Sequence, residues 1–188
     1  MYTSSLGGGR VEKKLIKEIK KGNHNAFTTL YNQYSEYALR VALAVTKNSA
    51  NGADAVQETF IRVYRNISKF DTSRDFKPWF YKILINECRR IMYFSTDALT
   101  IDEKIENDRQ LSKEDFYGFQ EYESLYEAIQ NLDEINRLPI ILKYLQDFSE
   151  KEISQVLDLN INTVKSRLYK GRQKLRNIIN DGEGTVND

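Results

Sequence analysis

The strongest constraint on the fold lies near the carboxyl end, in the run FSEKEISQVLDLNINTVKSRLYKGRQKLRNII from Phe148 to Ile179. Ser149 stands three residues before Glu152, the spacing of a capping box that satisfies free amides at a helix start. Ile153, Val156 and Leu157 then recur at helical spacing. Asp158 to Asn162 interrupts the pattern. Asn160 suits a positive-φ turn position, and Asn162 suits the N-cap of a second helix.

That second helix has an uneven surface. Val164, Leu168, Gly171, Leu175 and Ile178 form an inward stripe, and Ser166, Tyr169 and Gln173 lie opposite. Lys165, Arg172 and Arg176 flank the polar strip on one side; Arg167, Lys170 and Lys174 flank it on the other. Six basic and no acidic residues occur between Asn162 and Asn180. A basic amphipathic helix alone is better explained by a solvated face. The capped helix and short turn before it make the pair a helix-turn-helix. The cationic shoulders then suit phosphates and the centre strip base edges in a major groove.

Composition narrows the class. The 28 basic and 27 acidic residues nearly cancel, so any nucleic-acid surface must come from local placement of charge. One cysteine and one histidine exclude an internal disulfide and a His/Cys zinc site. No apolar run approaches the ~20 residues of a membrane span, and no leader is legible. Two prolines and nine glycines among many helix formers predict an all-α chain. No phosphate loop, nucleophile motif or metal-spaced cluster appears, so neither an enzyme nor a cofactor is expected.

Read in order, residues 1–10 form a Gly-rich flexible tail and Val11–Lys21 a short basic helix. A second helix starts near Asn25 with Phe27, Leu30, Tyr34, Ala38, Val41 and Val45 facing in. Asn48–Gly52 is expected as a loop. Ala53–Ile67 is a third helix whose outer face carries Asp54, Gln57, Glu58, Arg62 and Arg65, a solvated face on physical grounds alone. A polar loop, Ser68–Lys77, leads to a fourth helix with Pro78 in its first turn. There Trp79 is open to two readings, core anchor or base-stacking platform. Asp97–Glu127 holds ten acidic against three basic residues and reads as a tether. From Tyr122 a second helical unit begins, with a break or bend at Leu138–Pro139.

The pattern Ser149-x-x-Glu152-Ile153-Ser154-x-x-Leu157-x-Leu159-x-x-x-Thr163-Val164-Lys165-Ser166-Arg167-Leu168-x-Lys170-Gly171-Arg172 closely resembles region 4 of the bacterial sigma-70 family, in its extracytoplasmic-function (ECF) branch. Asp54-x-x-Gln57-Glu58-x-Phe60 is similar to the family's region 2.2. The resemblance implies two small helical domains joined by a flexible linker: region 2 over 11–94, an acidic linker over 95–121, region 4 over 122–181 and a polar tail over 182–188. It implies −35 contacts from Thr163, Lys165, Ser166, Arg167, Tyr169, Lys170 and Arg172, with Lys165, Ser166 and Tyr169 on base edges. For the −10 element it implies Lys69, Phe70, Asp71, Ser73, Arg74, Asn86, Arg89 and Arg90, the loop capturing a base flipped from the non-template strand. Asp54, Gln57, Glu58 and Arg62 would bind core RNA polymerase, whose β′ coiled coil meets this face in the family and whose β subunit is also a partner. Where many relatives continue with a basic run, this chain has Ile91–Thr96, which fits a requirement for a strong −35 element. The expected protein is a cytoplasmic initiation factor for promoter DNA, silenced by an anti-sigma factor, binding no metal and not inserted in a membrane. The alternative is a stand-alone helix-turn-helix regulator that binds DNA without polymerase.

Overall fold

The structure, a computed structural model, describes residues 8–98 and 123–183. These form eight α-helices and one 3-10 turn, with no strand among the described residues. The amino-terminal group is α1 (Gly8–Lys20), α2 (His24–Thr46), α3 (Ser49–Asn66), the turn Ile67–Lys69 and α4 (Phe76–Ala98). The carboxyl-terminal group is α5 (Glu123–Gln130), α6 (Glu134–Gln146), α7 (Glu150–Leu157) and α8 (Ile161–Glu183). Helix α4 extends into the expected linker; the rest of that stretch lies outside the described residues.

Helix α2 begins where Asn23 caps it, its side chain accepting from the Ala26 N–H. Helix α3 begins earlier than the sequence suggests. Asn48 Oδ1 accepts from the Asn51 N–H at 2.9 Å, so the expected loop Asn48–Gly52 is helical from Ser49. Gly52 belongs inside this helix because α2 leaves no room for a side chain: a Cβ there would lie 2.9 Å from Leu43 Cδ2. Leu30, Ala38, Val41, Val63, Phe80 and Leu84 are fully buried between α2, α3 and α4. Each large apolar side chain so buried contributes about 1.5–3 kcal/mol. Around them runs an aromatic cluster: Tyr34, Phe60, Phe70, Phe76, Trp79 and Phe80 meet at centroid distances of 4.8–6.0 Å. Helix α1 is tied to this core by Ile16 and Ile19 and by a partly buried hydrogen bond from the Tyr34 hydroxyl to Glu12. Burial, the larger cause on each side, raises the pKa of both groups.

In the second group the break falls at 131–133, before the expected Leu138. Asp133 caps α6, Oδ1 accepting from the Asn136 N–H at 3.0 Å. Pro139 then sits in the second turn of a continuous helix, where its missing N–H costs one bond to the carbonyl of the solvent-facing Ile135. The capping box of α7 is present in both directions: Glu152 N–H to Ser149 Oγ at 3.2 Å, and Ser149 N–H to Glu152 Oε2 at 2.8 Å. The tight turn differs in detail from expectation. Asp158, not Asn160, takes the left-handed conformation at φ 52°, and Asn160 accepts from the Asn162 N–H at 2.8 Å to open α8. Val164, Leu168, Gly171 and Leu175 turn α8 onto α6 and α7. A Cβ on Gly171 would lie 2.8 Å from Ile140 Cγ1, so the Ile140 side chain packs directly on the Gly171 backbone.

The two groups pack on each other, α4 against α7 and α2 against α6. The Tyr81 hydroxyl donates to Gln146 Oε1 at 2.6 Å, and its ring meets Phe148 edge-on at 5.3 Å. Lys77 Nζ reaches the Gln146 carbonyl at 2.6 Å and lies over the Phe148 ring. Lys47 donates to the Gln130 carbonyl, Lys82 pairs with Asp158 at 2.7 Å and Arg89 with Glu134 at 3.1 Å. Tyr81→Phe keeps the ring but orphans Gln146 Oε1. It should lower the stability of the chain by about 1–2 kcal/mol, read from its urea unfolding midpoint; an unchanged midpoint would show that water replaces the hydroxyl.

Candidate nucleic-acid interface

Three surfaces collect the residues singled out in the sequence. The first is the outer face of α8. Lys165, Ser166, Tyr169, Lys170 and Arg172 are exposed there, whereas Thr163 and Arg167 are half-buried on its margin. Gln173 Nε2 donates to the Tyr169 hydroxyl at 2.8 Å, which braces the 57%-exposed ring. Lys165 lies 4.0 Å from Glu150, a loose exposed pair that offers little competition to a phosphate or base. Lys174 is turned back onto Asp133 at 2.5 Å and anchors α8 to the start of α6. That contact and the α6 cap hold the Asp133 carboxyl below its usual pKa.

The second surface is the loop 67–75 and the adjoining face of α4. Lys69, Asp71, Ser73 and Arg74 are exposed. Asp71 shapes the turn: Oδ1 accepts from the Ser73 N–H at 2.9 Å, which lowers the pKa of the carboxyl. Lys20 of α1 braces the loop from beneath, donating to the Phe70 carbonyl at 2.6 Å. Phe70 is buried and packs on Trp79 at 4.8 Å. Beside them opens a cleft of about 380 Å³, lined by Phe70, Trp79, Ile83, Asn86, Lys69 and Arg62, together with Asn66 and Glu87. That volume is at the small end for ligand clefts. Trp79 is half-buried: its ring packs on Phe70 and Phe76 as a core anchor and also lines the cleft. Asn86 is exposed in the cleft, while Arg89 lies on the other flank of α4 and is engaged by Glu134.

The third surface is the crest of α3. Asp54, Gln57 and Glu58 run along it, and Gln57 also lines an apolar groove of about 900 Å³ between α2 and α3. Tyr31, Leu39 and Tyr64 stand exposed in this groove. Arg62, expected with this crest, faces the cleft and pairs with Glu87 at 2.5 Å. Asn66 and Glu87 are cleft residues that the sequence did not single out. Their signal was faint: an Asn at a helix end and a Glu beside Arg89–Arg90.

Comparison with known proteins follows the same division. The sigma-70 region 2 family model matches residues 30–93 and the region 4 model residues 122–175. The ECF RNA polymerase sigma factor SigW of Bacillus subtilis (strain 168) is 30% identical over 181 residues, covering 90% of this chain and 97% of the relative. This chain belongs to the ECF branch of the sigma-70 family. The ECF RNA polymerase sigma-E factor of Escherichia coli (strain K12) is 28% identical over 180 residues, covering 88% of this sigma factor and 93% of that one. Among solved structures, CnrH in complex with the cytosolic domain of CnrY has the same fold, with a TM-score of 0.69 at 22% identity over 90% of this chain and 97% of that one. No described helix of the sigma factor is long and apolar enough to cross a membrane, and no described group of three or more acidic, His or Cys side chains could hold a metal ion.

Asp133→Ala removes both a helix cap and the anchor of Lys174. It should cost about 1 kcal/mol at neutral pH. Because the folded-state pKa is depressed, the wild-type advantage is present above the ordinary value of 3.8 and is lost as pH falls through the folded value. Urea unfolding of both proteins at neutral and acid pH checks this; a gap that persists in acid would count against the ionised contact.

Proposed function

We propose that this chain is a transcription initiation factor that binds core RNA polymerase and directs it to promoters by reading −35 and −10 elements and helping to open the DNA. The observation that carries this reading is the coexistence, on one chain of this family, of a cationic recognition helix and a separate aromatic cleft. The first suits duplex DNA: Lys165, Ser166 and Tyr169 for base edges, and Thr163, Arg167, Lys170 and Arg172 for phosphates. The second suits an unpaired strand, since a base leaving the stack needs apolar walls and an amide to pair with. In this reading Phe70, Trp79 and Asn86 receive the base. Lys69, Arg74 and Arg90 face the backbone, Asp71 and Ser73 set the loop, and Arg89 joins them when released from Glu134.

The α3 crest with Asp54, Gln57 and Glu58, and the apolar groove beside it, is the docking face for polymerase. Arg62 belongs to the cleft instead. The chain itself makes and breaks no bond; nucleotide chemistry is left to the polymerase. An anti-sigma protein that occludes these faces would act as its regulator. The site of action is the cytoplasm, where polymerase and promoter are found.

The deciding experiment is a titration of the purified chain against core RNA polymerase. A stoichiometric one-to-one complex is expected. Glu58→Lys should weaken it by about tenfold, as reversal of an interfacial charge does. Absence of binding by the folded wild type would leave a stand-alone helix-turn-helix regulator. For the recognition helix, Lys165→Ala should remove about 1–3 kcal/mol of discrimination at one −35 position. Transcription from a promoter library measures this, and an unchanged base preference would remove Lys165 from the reading set.

A further inference from the structure

Glu87 is a carboxylate only 3% exposed, on the face of α4 that meets α3. Both of its oxygens are taken by arginines. Oε1 lies 2.5 Å from Arg62 Nε on α3, and Oε2 lies 2.7 Å from Arg90 Nε, one turn further along α4. A carboxylate this deeply buried is tolerated only when its partners stay in place, because an uncompensated buried charge costs several kcal/mol. The constraint therefore runs in both directions: Glu87 pins two guanidinium groups.

The arginines themselves are not buried. Arg62 is 47% and Arg90 39% exposed in the side chain, and Arg62 lines the cleft beside Asn86. Each engages Glu87 through Nε. The guanidinium fork carries five N–H donors, so the outer ones remain available. Arg90 has one further carboxylate near it, Glu58 at 3.9 Å, beyond hydrogen-bonding distance. The two forks share one carboxylate of the cleft wall, Arg62 lining the cleft and Arg90 standing outside its lining, and both are partly exposed. Such forks match the geometry of phosphate oxygens. A surface arginine would lose rotamer freedom on binding; these two have lost much of it already.

We propose that Glu87 is a positioning residue for single-stranded DNA: it presents Arg62 and Arg90 to the phosphates that flank the nucleotide whose base enters the cleft of Phe70, Trp79 and Asn86. The proposal rests on the reading of this cleft as the −10 site. It assigns Arg62 to DNA and gives a chemical reason for an acid in the middle of an otherwise anion-seeking surface. Without Glu87 the site would be more positive but less ordered. Sequence preference and non-specific attraction should then move in opposite directions.

The test uses holoenzyme assembled from the full chain and core polymerase, with a random-sequence single-stranded DNA pool as the probe. Wild type, Glu87→Gln and Glu87→Asp are compared by selection and sequencing at low temperature, and by anisotropy across salt concentrations. Glu87→Gln should flatten base preference at the selected position by about tenfold, the loss of one charge-assisted hydrogen bond. Its affinity for the unselected pool should depend on salt at least as steeply as the wild type's, since no phosphate contact is lost in number. Glu87→Asp, which keeps the charge, should recover part of the preference. If Glu87→Gln melts at a lower temperature yet keeps its preference and salt slope, the carboxylate is only a tether between α3 and α4 and the proposal fails. If wild-type holoenzyme selects no base at all, the −10 reading of the cleft fails, and the proposal with it.

Discussion

Helix α4 buries two of its flanks and leaves a third open, and the rest of the molecule is arranged around that demand. One flank, with Phe80, Leu84 and Glu87, closes the core against α2 and α3. Another, with Tyr81 and Lys82, receives α7 and the Gln146–Phe148 segment that precedes it. The third, with Trp79, Ile83 and Asn86, is open as the cleft. The two buried flanks differ in chemistry. The first is aromatic and aliphatic throughout apart from Glu87 and its arginines. The second is a seam of lysines on carbonyls, exposed ion pairs and amides. Gln130 Oε1, Asn136 Oδ1 and Gln146 Nε2, all on the second group, are buried without a hydrogen-bond partner. Exposed pairs such as Lys82–Asp158 contribute about 0–1 kcal/mol, and each orphaned polar atom costs about 1–3 kcal/mol.

The aromatic cluster gives the cleft its rigidity. Phe70 and Phe76 belong to the loop and to the first turn of α4, yet both are as buried as the aliphatic core. The loop between them is therefore pinned at both ends while Lys69, Asp71, Ser73 and Arg74 remain outside. Lys20 adds a third fixed point from α1. A loop so held has little conformational freedom left to lose in any contact its polar groups make. The lone thiol, Cys88, plays no part in this chemistry; burial pushes its pKa up to about 12 and keeps it protonated.

Much of this was legible in the sequence because it is local. Helical spacing, the Ser149–Glu152 box and the cationic stripe of α8 depend on residues within one or two turns of each other. The misreadings have local causes too. Asn48, Asn51, Asn160 and Asn162 are all competent caps, and tertiary contact chose between them: α2 pressing on Gly52 selected Asn48. Pro139 reads as a breaker in the sequence, but it falls in the second turn of a helix that Asp133 caps, where only one backbone bond is lost. What the sequence concealed is long-range. Lys77, Tyr81 and Gln146 carry nothing that marks them as meeting across some 65 residues of chain. Arg62 sits one turn from Glu58 and shares its charge run, so only the position of α4 reveals that it lies against Glu87 in the cleft wall. Most of the acidic run between the two groups, residues 99–122, lies outside the described residues, and its two ends are helical, in α4 and α5.

Gly171 has a bearing on the opposite side of its helix. Its Cα faces Ile140, which is fully buried, and the Asn136 carbonyl lies 3.4 Å from where a Cβ would stand. The depth at which α8 is seated, and with it the roll of Ser166 and Tyr169 about the helix axis, is therefore set by a missing carbon on the far side. Hydrogen bonds to base edges tolerate displacements of only a few tenths of an ångström. The position of this exposed edge is thus calibrated from behind, by buried residues, and a change at Ile140 or Gly171 would shift Ser166 and Tyr169 together rather than one side chain alone.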